Sequence, residues 1–350
     1  MSSSGMMEIP SPWEGKIVRT KWLGWTGWIL GGLALAGIAG WSVLAIYYSN
    51  LPATARIVVA VLFGLGAISA VVFIRPRRRG VLAVTGGFIL VLVLWLAIPP
   101  SNTRDWQPDV AVLAFADIVG NNVTVHNIRN CDYRTETDYD VRHYDRTFDL
   151  DTLRTADLFT VYWGAPYICH TMLSFGFEGD RYVCISIETR KEVGEDYSAV
   201  RGFFRQYELT YVVADERDLV RLRTNYRRDE EVYLYRMNAK PEIVREVFLD
   251  YLKATNSLKD RPEWYNALTS NCTSNIRGHT KPYAQRSRWN WKLVVNGYID
   301  ELIYSNGALD RSLPYAELKA RSHINSRARE ADKDPKFSIR IREGLPGMSH

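Results

Sequence analysis

The chain has 350 residues, 47% of them hydrophobic and 24% charged, a balance that supports a folded core and excludes a disordered tail. Its formal charge of +5 is unevenly spread: residues 1–98 hold 8 basic and 2 acidic side chains and net +6, so residues 99–350 net −1. An electrostatic nucleic-acid footprint on the folded part is thereby excluded.

Three charge-free apolar stretches occupy 22–48, 57–74 and 81–98. Crossing a bilayer takes about 20 apolar residues, with roughly 17 sufficing, so the sequence predicts three transmembrane helices. A secretory signal is a poorer reading, because the first apolar run is too long and two more follow it. Helices of a soluble core keep a hydrophilic side, and these have almost none. Lys16, Arg19 and Lys21 precede the first stretch, one Arg lies between the first and second, and Arg75, Arg77, Arg78 and Arg79 lie between the second and third. Positive loops stay in the cytoplasm, so the N-terminus is expected there, with everything after Pro99 on the far side of the membrane; in a bacterial host that membrane is the inner one and that side the periplasm. No ionisable group interrupts a span, so no transport or proton path is expected. The organisation expected is a three-helix anchor over 1–98 and one extracytoplasmic domain over 99–350.

In the second part, strands are predicted at 110–115, 122–128, 158–163, 168–177, 182–188, 207–213 and 232–236, with a turn at 178–181 joining two of them as a hairpin. Residues 130–151 lack a period and read as irregular loop. Pro241 opens a helix whose Ile243, Val244, Val247, Phe248, Tyr251 and Leu252 share one face. Further helices are expected from about Cys272 and over 291–306, closed by Gly307. Strands first and helices later indicate an α+β fold.

No Gly-rich phosphate loop, HExxH, GxSxG or CxxC is present, and the 6 His and 4 Cys are scattered, so neither a metal nor a cofactor is expected. On the oxidising side of a membrane, four Cys admit one disulfide among Cys131, Cys169 and Cys184. Cys272 is the candidate nucleophile. It follows Ser270 and Asn271, residues that cap helices, so its thiol falls at a helix N-terminus where free N–H groups favour thiolate. The same N–H groups, with Asn271 and Thr273, are candidates for holding an oxyanion. The plainer alternative is a small buried thiol that only packs. His279 is nearest in sequence but lies about 10 Å along the helix, so His170, on a predicted strand, is the better base. Glu188 near the end of the next strand is the candidate to orient it, although a one-residue slip would put Thr189 there instead. The aromatic and charged segment containing Tyr133, Arg134, Glu136 and Tyr139 is either a substrate-binding surface or a solvated loop.

The segments DYRTETDY (132–139), CHTMLSFGF (169–177), SIETRKE (186–192), YVVADER (211–217) and WYNALTSNCT (264–273) resemble the bacterial family named after the N-terminal periplasmic domain of the Lnb lipoprotein N-acyltransferase. The likeness runs from about Asn102 to Gly347. It implies a periplasmic thiol domain of circularly permuted papain-like fold, with His170 on a strand and Cys272 opening a helix. Membrane lipids or lipoproteins are the partners it implies, and acyl transfer or hydrolysis the reaction. This chain differs in carrying its apolar helices before the domain, so lipoprotein N-acylation does not follow from the resemblance alone. A cell-wall amide hydrolase and a non-catalytic membrane-tethered binding or assembly module are the alternatives.

Overall fold

A computed structural model describes residues 14–267, 269–283, 290–293 and 295–348. The chain divides into two units at Pro99 and Pro100.

The first unit holds three helices, α1 (Glu14–Tyr47), α2 (Ala53–Phe73) and α3 (Arg77–Leu96). Each contains a stretch long and apolar enough to cross a membrane: Trp25–Tyr47, Ala53–Phe73 and Arg77–Leu96. Their large apolar side chains point outward, Leu62, Phe73 and Leu82 among them, as a lipid solvent favours. Inside the unit the Trp41 ring of α1 meets Phe88 and Trp95 of α3 edge-on, at 5.6 and 5.4 Å between centroids. Gly80 packs against the Ala70 carbonyl, where a Cβ would sit 2.4 Å away, so only glycine permits this approach of α3 to α2. The sequence put Arg77, Arg78 and Arg79 in a loop. They form the first turn of α3, after Pro76 at the N-cap.

The second unit contains β1 (Phe115–Val119), β2 (Asn122–Arg129), β3 (Asp132–Tyr133), β4 (Tyr139–Asp140), β5 (His143–Asp149), β6 (Leu153–Trp163), β7 (Cys169–Phe177) and β8 (Arg181–Arg190). After α4 (Ala199–Gly202), β9 (Glu208–Ala214) and α5 (Glu216–Arg221), a π-helical turn at Leu222–Tyr226 leads into β10 (Glu230–Arg236). There follow α6 (Pro241–Asp260), α7 (Cys272–Thr280), α8 (Ile299–Ser305), α9 (Tyr315–Arg321), α10 (Asn325–Glu330) and α11 (Phe337–Arg340). The main sheet has the order β1-β2-β9-β8-β7-β6-β10, with β5 also paired to β2. Only β2 and β9 run parallel, which makes the sheet mixed and the fold α+β.

β7 lies mid-sheet and is buried along its whole length, so both faces of the sheet must be covered. On one face α6 lays down Val244, Val247, Phe248, Tyr251 and Leu252 against Phe148, Phe175 and Phe177. Phe248 meets all three rings at centroid distances of 6.4, 4.9 and 5.6 Å. On the other face Ile324, Ala328, Phe337 and Ile341 of the C-terminal segment pack on Phe159, Val161, Met172 and Leu234. That segment is pinned by the buried Arg342, which donates to Asp157 at 2.9 Å and to Glu216 at 2.6 and 2.8 Å. Removing one partner of such a buried pair costs about 3–5 kcal/mol, so the last turn is integral to the sheet.

Three expectations are corrected. Residues 110–114 form no strand and the first strand starts at Phe115. The stretch 130–151 contains β3, β4 and β5 rather than only loop. β5 escaped notice because only Phe148 of its seven residues is fully buried, leaving no apolar alternation to read. The helix expected over 291–306 is broken into two 3-10 turns, Trp291–Leu293 and Asn296–Tyr298, followed by α8.

Candidate active site

Asn271 caps α7 through a reciprocal box. Its Oδ1 accepts the Ser274 N–H at 2.9 Å, while Ser274 Oγ accepts the Asn271 N–H at 2.8 Å. Cys272 is consequently the first residue of the helix, and it is 6% exposed.

His170 lies near the start of β7 and is 8% exposed. The β7–β8 ladder pairs Met172 with Ser186, so two steps further along the same face Glu188 comes opposite His170. The Nε2 atom of His170 lies 2.7 Å from Ser186 Oγ and 3.2 Å from Glu188 Oε1, and Ser186 donates to the same Glu188 oxygen at 2.6 Å. With Nε2 so engaged, Nδ1 is the ring nitrogen left to exchange a proton with a thiol. Arg223, from the π-helical turn, donates to Glu188 at 2.8 Å and reaches Glu230 at 3.4 Å. A π-helical turn in this position is a common mark of a functional site.

Charge separates Cys272 from the other three thiols. Burial pushes its pKa up, but the charge of His170 and a direct hydrogen bond to it win, aided by the N–H and hydroxyl of Thr171, and bring it down to about 7. Burial opposes a charge on His170 and Arg223 repels it, but the Glu188 carboxylate, together with the charge of Cys272 and the hydrogen bond to it, overcomes both and raises the imidazole to about 9. Glu188 is held well below the carboxylate range: desolvation works against this, and His170 and Arg223 overcome it. Cys131 is pushed up to about 12 by burial and the nearby Asp218, while burial carries Cys169 and Cys184 well above the usual thiol. All four cysteines are free, so the disulfide that the compartment would admit is not formed.

Asn296 fastens the two reactive elements together. Its Oδ1 accepts the Cys169 N–H at 3.1 Å, and its Nδ2 donates to the Cys169 carbonyl at 2.7 Å and to Thr273 Oγ1 at 3.0 Å. One amide thus ties the residue before His170 to the residue after Cys272. Gly297 follows because a Cβ there would lie 2.3 Å from the Pro166 carbonyl oxygen.

The expected oxyanion residues are placed differently from the sequence reading. The Asn271 Nδ2 is spent on the Ala267 carbonyl at 2.7 Å, and the Thr273 hydroxyl accepts from Asn296 while standing 3.9 Å from the Cys272 sulfur. Both side chains therefore shape the turn, and the first N–H groups of a helix have no partner within the helix itself. Cys272, His170 and Glu188 line a cavity of about 520 Å³, together with Arg223, Tyr197 and Tyr265. Of the four candidate binding residues, Glu136 lines this cavity and pairs with Arg227 at 3.2 Å. Tyr133 is buried and donates to Asp218 at 3.2 Å, and Tyr139 packs against its ring at 5.1 Å. Arg134 spends its guanidinium on Asp138 and Asp140 at the surface. His279 stands away from the thiol, between Asp250 Oδ2 at 2.6 Å and the Tyr211 hydroxyl at 2.7 Å.

Arg223, Ser186, Thr171 and Asn296 were not singled out from the sequence. Ser186 and Thr171 carried a signal, since each lies at a fixed offset from Glu188 or His170. Arg223 and Asn296 carried none, because they come from a π turn and a 3-10 turn remote in sequence.

Fold and site together define an α+β domain with a cysteine–histidine pair in a cavity, in a chain that begins with three apolar helices. Residues 139–297 match the family model of the Lnb N-terminal periplasmic domain. The match spans Cys272, His170 and Glu188. No curated protein and no solved structure matches the chain. Three apolar helices and a periplasmic-domain family fit a membrane protein with a periplasmic domain.

Proposed function

We propose that the protein is a thiol-dependent acyltransferase or hydrolase anchored in the bacterial inner membrane, acting on lipid-linked esters or amides at the periplasmic face. The observation carrying this reading is the Cys272–His170 pair, in which the thiol is lowered to about 7 and the imidazole raised to about 9. Between these values the pair rests as thiolate and imidazolium, the state a nucleophilic thiol requires. The thiolate attacks the substrate carbonyl, and N–H groups at the start of α7 hold the developing oxyanion. The bond to the alcohol or amine then breaks, the leaving group takes the proton from His170, and an acyl thioester remains on Cys272. An acceptor amine, or water, next gives its proton to His170 and attacks the thioester, regenerating the thiol. Glu188 holds the imidazole in orientation and stabilises its charge. Lipoprotein N-acylation is the leading form of the second step, supported by the family match, and the permuted papain-like arrangement is supported by a strand-borne His170 preceding a helix-opening Cys272.

The test is intact-mass analysis of the full chain after incubation with membrane lipid extract. A hydroxylamine-labile gain of one acyl chain, absent in Cys272→Ser, is the expected result. No adduct under conditions where the thiol alkylates readily would remove the proposal in favour of a binding or assembly module.

A further inference from the structure

We propose that the mouth of the cavity docks onto the phospholipid surface through an apolar rim formed by Tyr167, Ile168, Val193, Tyr197, Val200 and Trp291. These large side chains are all exposed, Val193 and Tyr167 at 58% and 52%. Ile168 and Tyr197 also line the cavity that holds Cys272. Tyr and Trp are the side chains that settle at a headgroup boundary, with an apolar body and a polar tip. Glu192, the acid beside Val193, is paired with Arg104 at 3.2 Å, which lowers the cost of bringing this loop to a lipid surface.

What names the bilayer as the occupant is where the domain takes up its chain. The last apolar helix ends at Leu96, and Ser101 already donates its N–H to Glu208 at 3.0 Å. The Asn102 amide then donates to the Leu258 and Lys259 carbonyls at 3.0 and 2.9 Å. Five residues reach at most about 17 Å, so only a short tether joins the last apolar helix to the start of the domain. The same entering segment is stitched to the rim. Val193 donates its N–H to the Asp105 carbonyl at 2.7 Å, Gln107 donates to the Lys191 carbonyl at 2.9 Å, and the Gln107 side chain donates to the Glu195 carbonyl at 2.7 Å. The loop that borders the cavity is therefore held by the segment that directly follows the short tether from the last apolar helix.

This inference goes beyond the proposed chemistry and is tested without it. The full chain carrying Cys272→Ser is given one label site at a time, Val193→Cys, Val200→Cys or, as the remote reference, Glu178→Cys in the β7–β8 turn. Each is labelled with an environment-sensitive fluorophore and reconstituted in phosphatidylethanolamine–phosphatidylglycerol vesicles containing lipids quencher-labelled near the headgroup. Labels at 193 and 200 should be quenched at least about twofold more than the label at 178, as groups lying at the acyl–headgroup boundary are. Equal quenching at all three sites overturns the proposal, and so does a rim covered by a second copy or another protein, which would shield 193 and 200 from lipid. Because Cys272 is absent throughout, failure here is distinguishable from failure to form an acyl-enzyme.

Discussion

Glu188 stands across the β7–β8 ladder from His170, with its Oε1 3.2 Å from the imidazole Nε2. Arg223 holds that carboxylate from the far side at 2.8 Å, so the residue that charges the imidazole is itself fixed by a buried cation. A short hydrogen-bonded chain runs from Glu230 through Arg223 and Glu188 to His170, and His170 passes it to Cys272.

The first prediction concerns pH. With Cys272 lowered to about 7, its alkylation rate should rise through pH 7, where an ordinary thiol would still be protonated. Acyl transfer should follow a bell, falling again as pH passes about 9 and the imidazolium loses the proton the leaving group needs. Iodoacetamide kinetics from pH 5 to 10 check the rising limb. An inflection at the ordinary thiol position would rule out the ion pair.

Replacing His170 by Ala should return the thiol toward its ordinary value, since the charge and hydrogen bond that lower it are gone while the burial that raises it remains. Labelling at neutral pH should slow by roughly 10-fold or more, and turnover by at least about 10³-fold. Mass spectrometry on the other three thiols provides the contrast, because burial keeps Cys131, Cys169 and Cys184 slow in both proteins.

Glu188→Gln keeps a hydrogen-bond acceptor but removes the charge that both His170 and Arg223 use. Activity should fall by about 10²-fold and the basic limb of the bell should move to lower pH, because the imidazole loses the partner that raises it. A stability loss of about 2 kcal/mol accompanies the unpaired guanidinium, moderated by Glu230. An unchanged pH profile would demote Glu188 to a packing role.

Asn296→Ala cuts the three side-chain bonds by which Asn296 bridges β7 and α7, at a cost of about 2–3 kcal/mol for the buried groups left without partners. The alkylation inflection should rise along with the loss in thermal midpoint, since the sulfur and imidazole are no longer clamped. Asn296→Asp retains the acceptor for the Cys169 N–H and adds a negative charge near the thiol, so it should raise the inflection further. A fall in stability with no change in the inflection would make the clamp purely structural.

Topology is checked by fusing alkaline phosphatase after Thr103. The alternation of Lys and Arg around the apolar stretches leads to high activity at that junction. A cytoplasm-restricted reporter active there would reverse the orientation.

The sequence by itself determined what depends on local pattern. Three uninterrupted apolar runs settled the anchor helices, because length and hydropathy suffice for a helix that satisfies its own backbone in lipid. Pro241 and its apolar face settled α6, and Ser270 and Asn271 placed Cys272 at the start of α7, because caps act within one turn. The hairpin turn with Gly179 and Asp180 at positive φ made β7 and β8 neighbours, though it left open whether Glu188 or Thr189 faced His170. Only the tertiary structure decided that register, since one residue of slip exchanges the faces of a whole strand and nothing local forbids it. It alone brought Arg223 to Glu188, and Asn296 to Cys169 across 127 residues, and it set the Asn271 amide onto the Ala267 carbonyl. These contacts join segments whose sequences carry no mark of one another, and they exist because packing both faces of a central, fully buried strand leaves each polar group there a single place to find its partner.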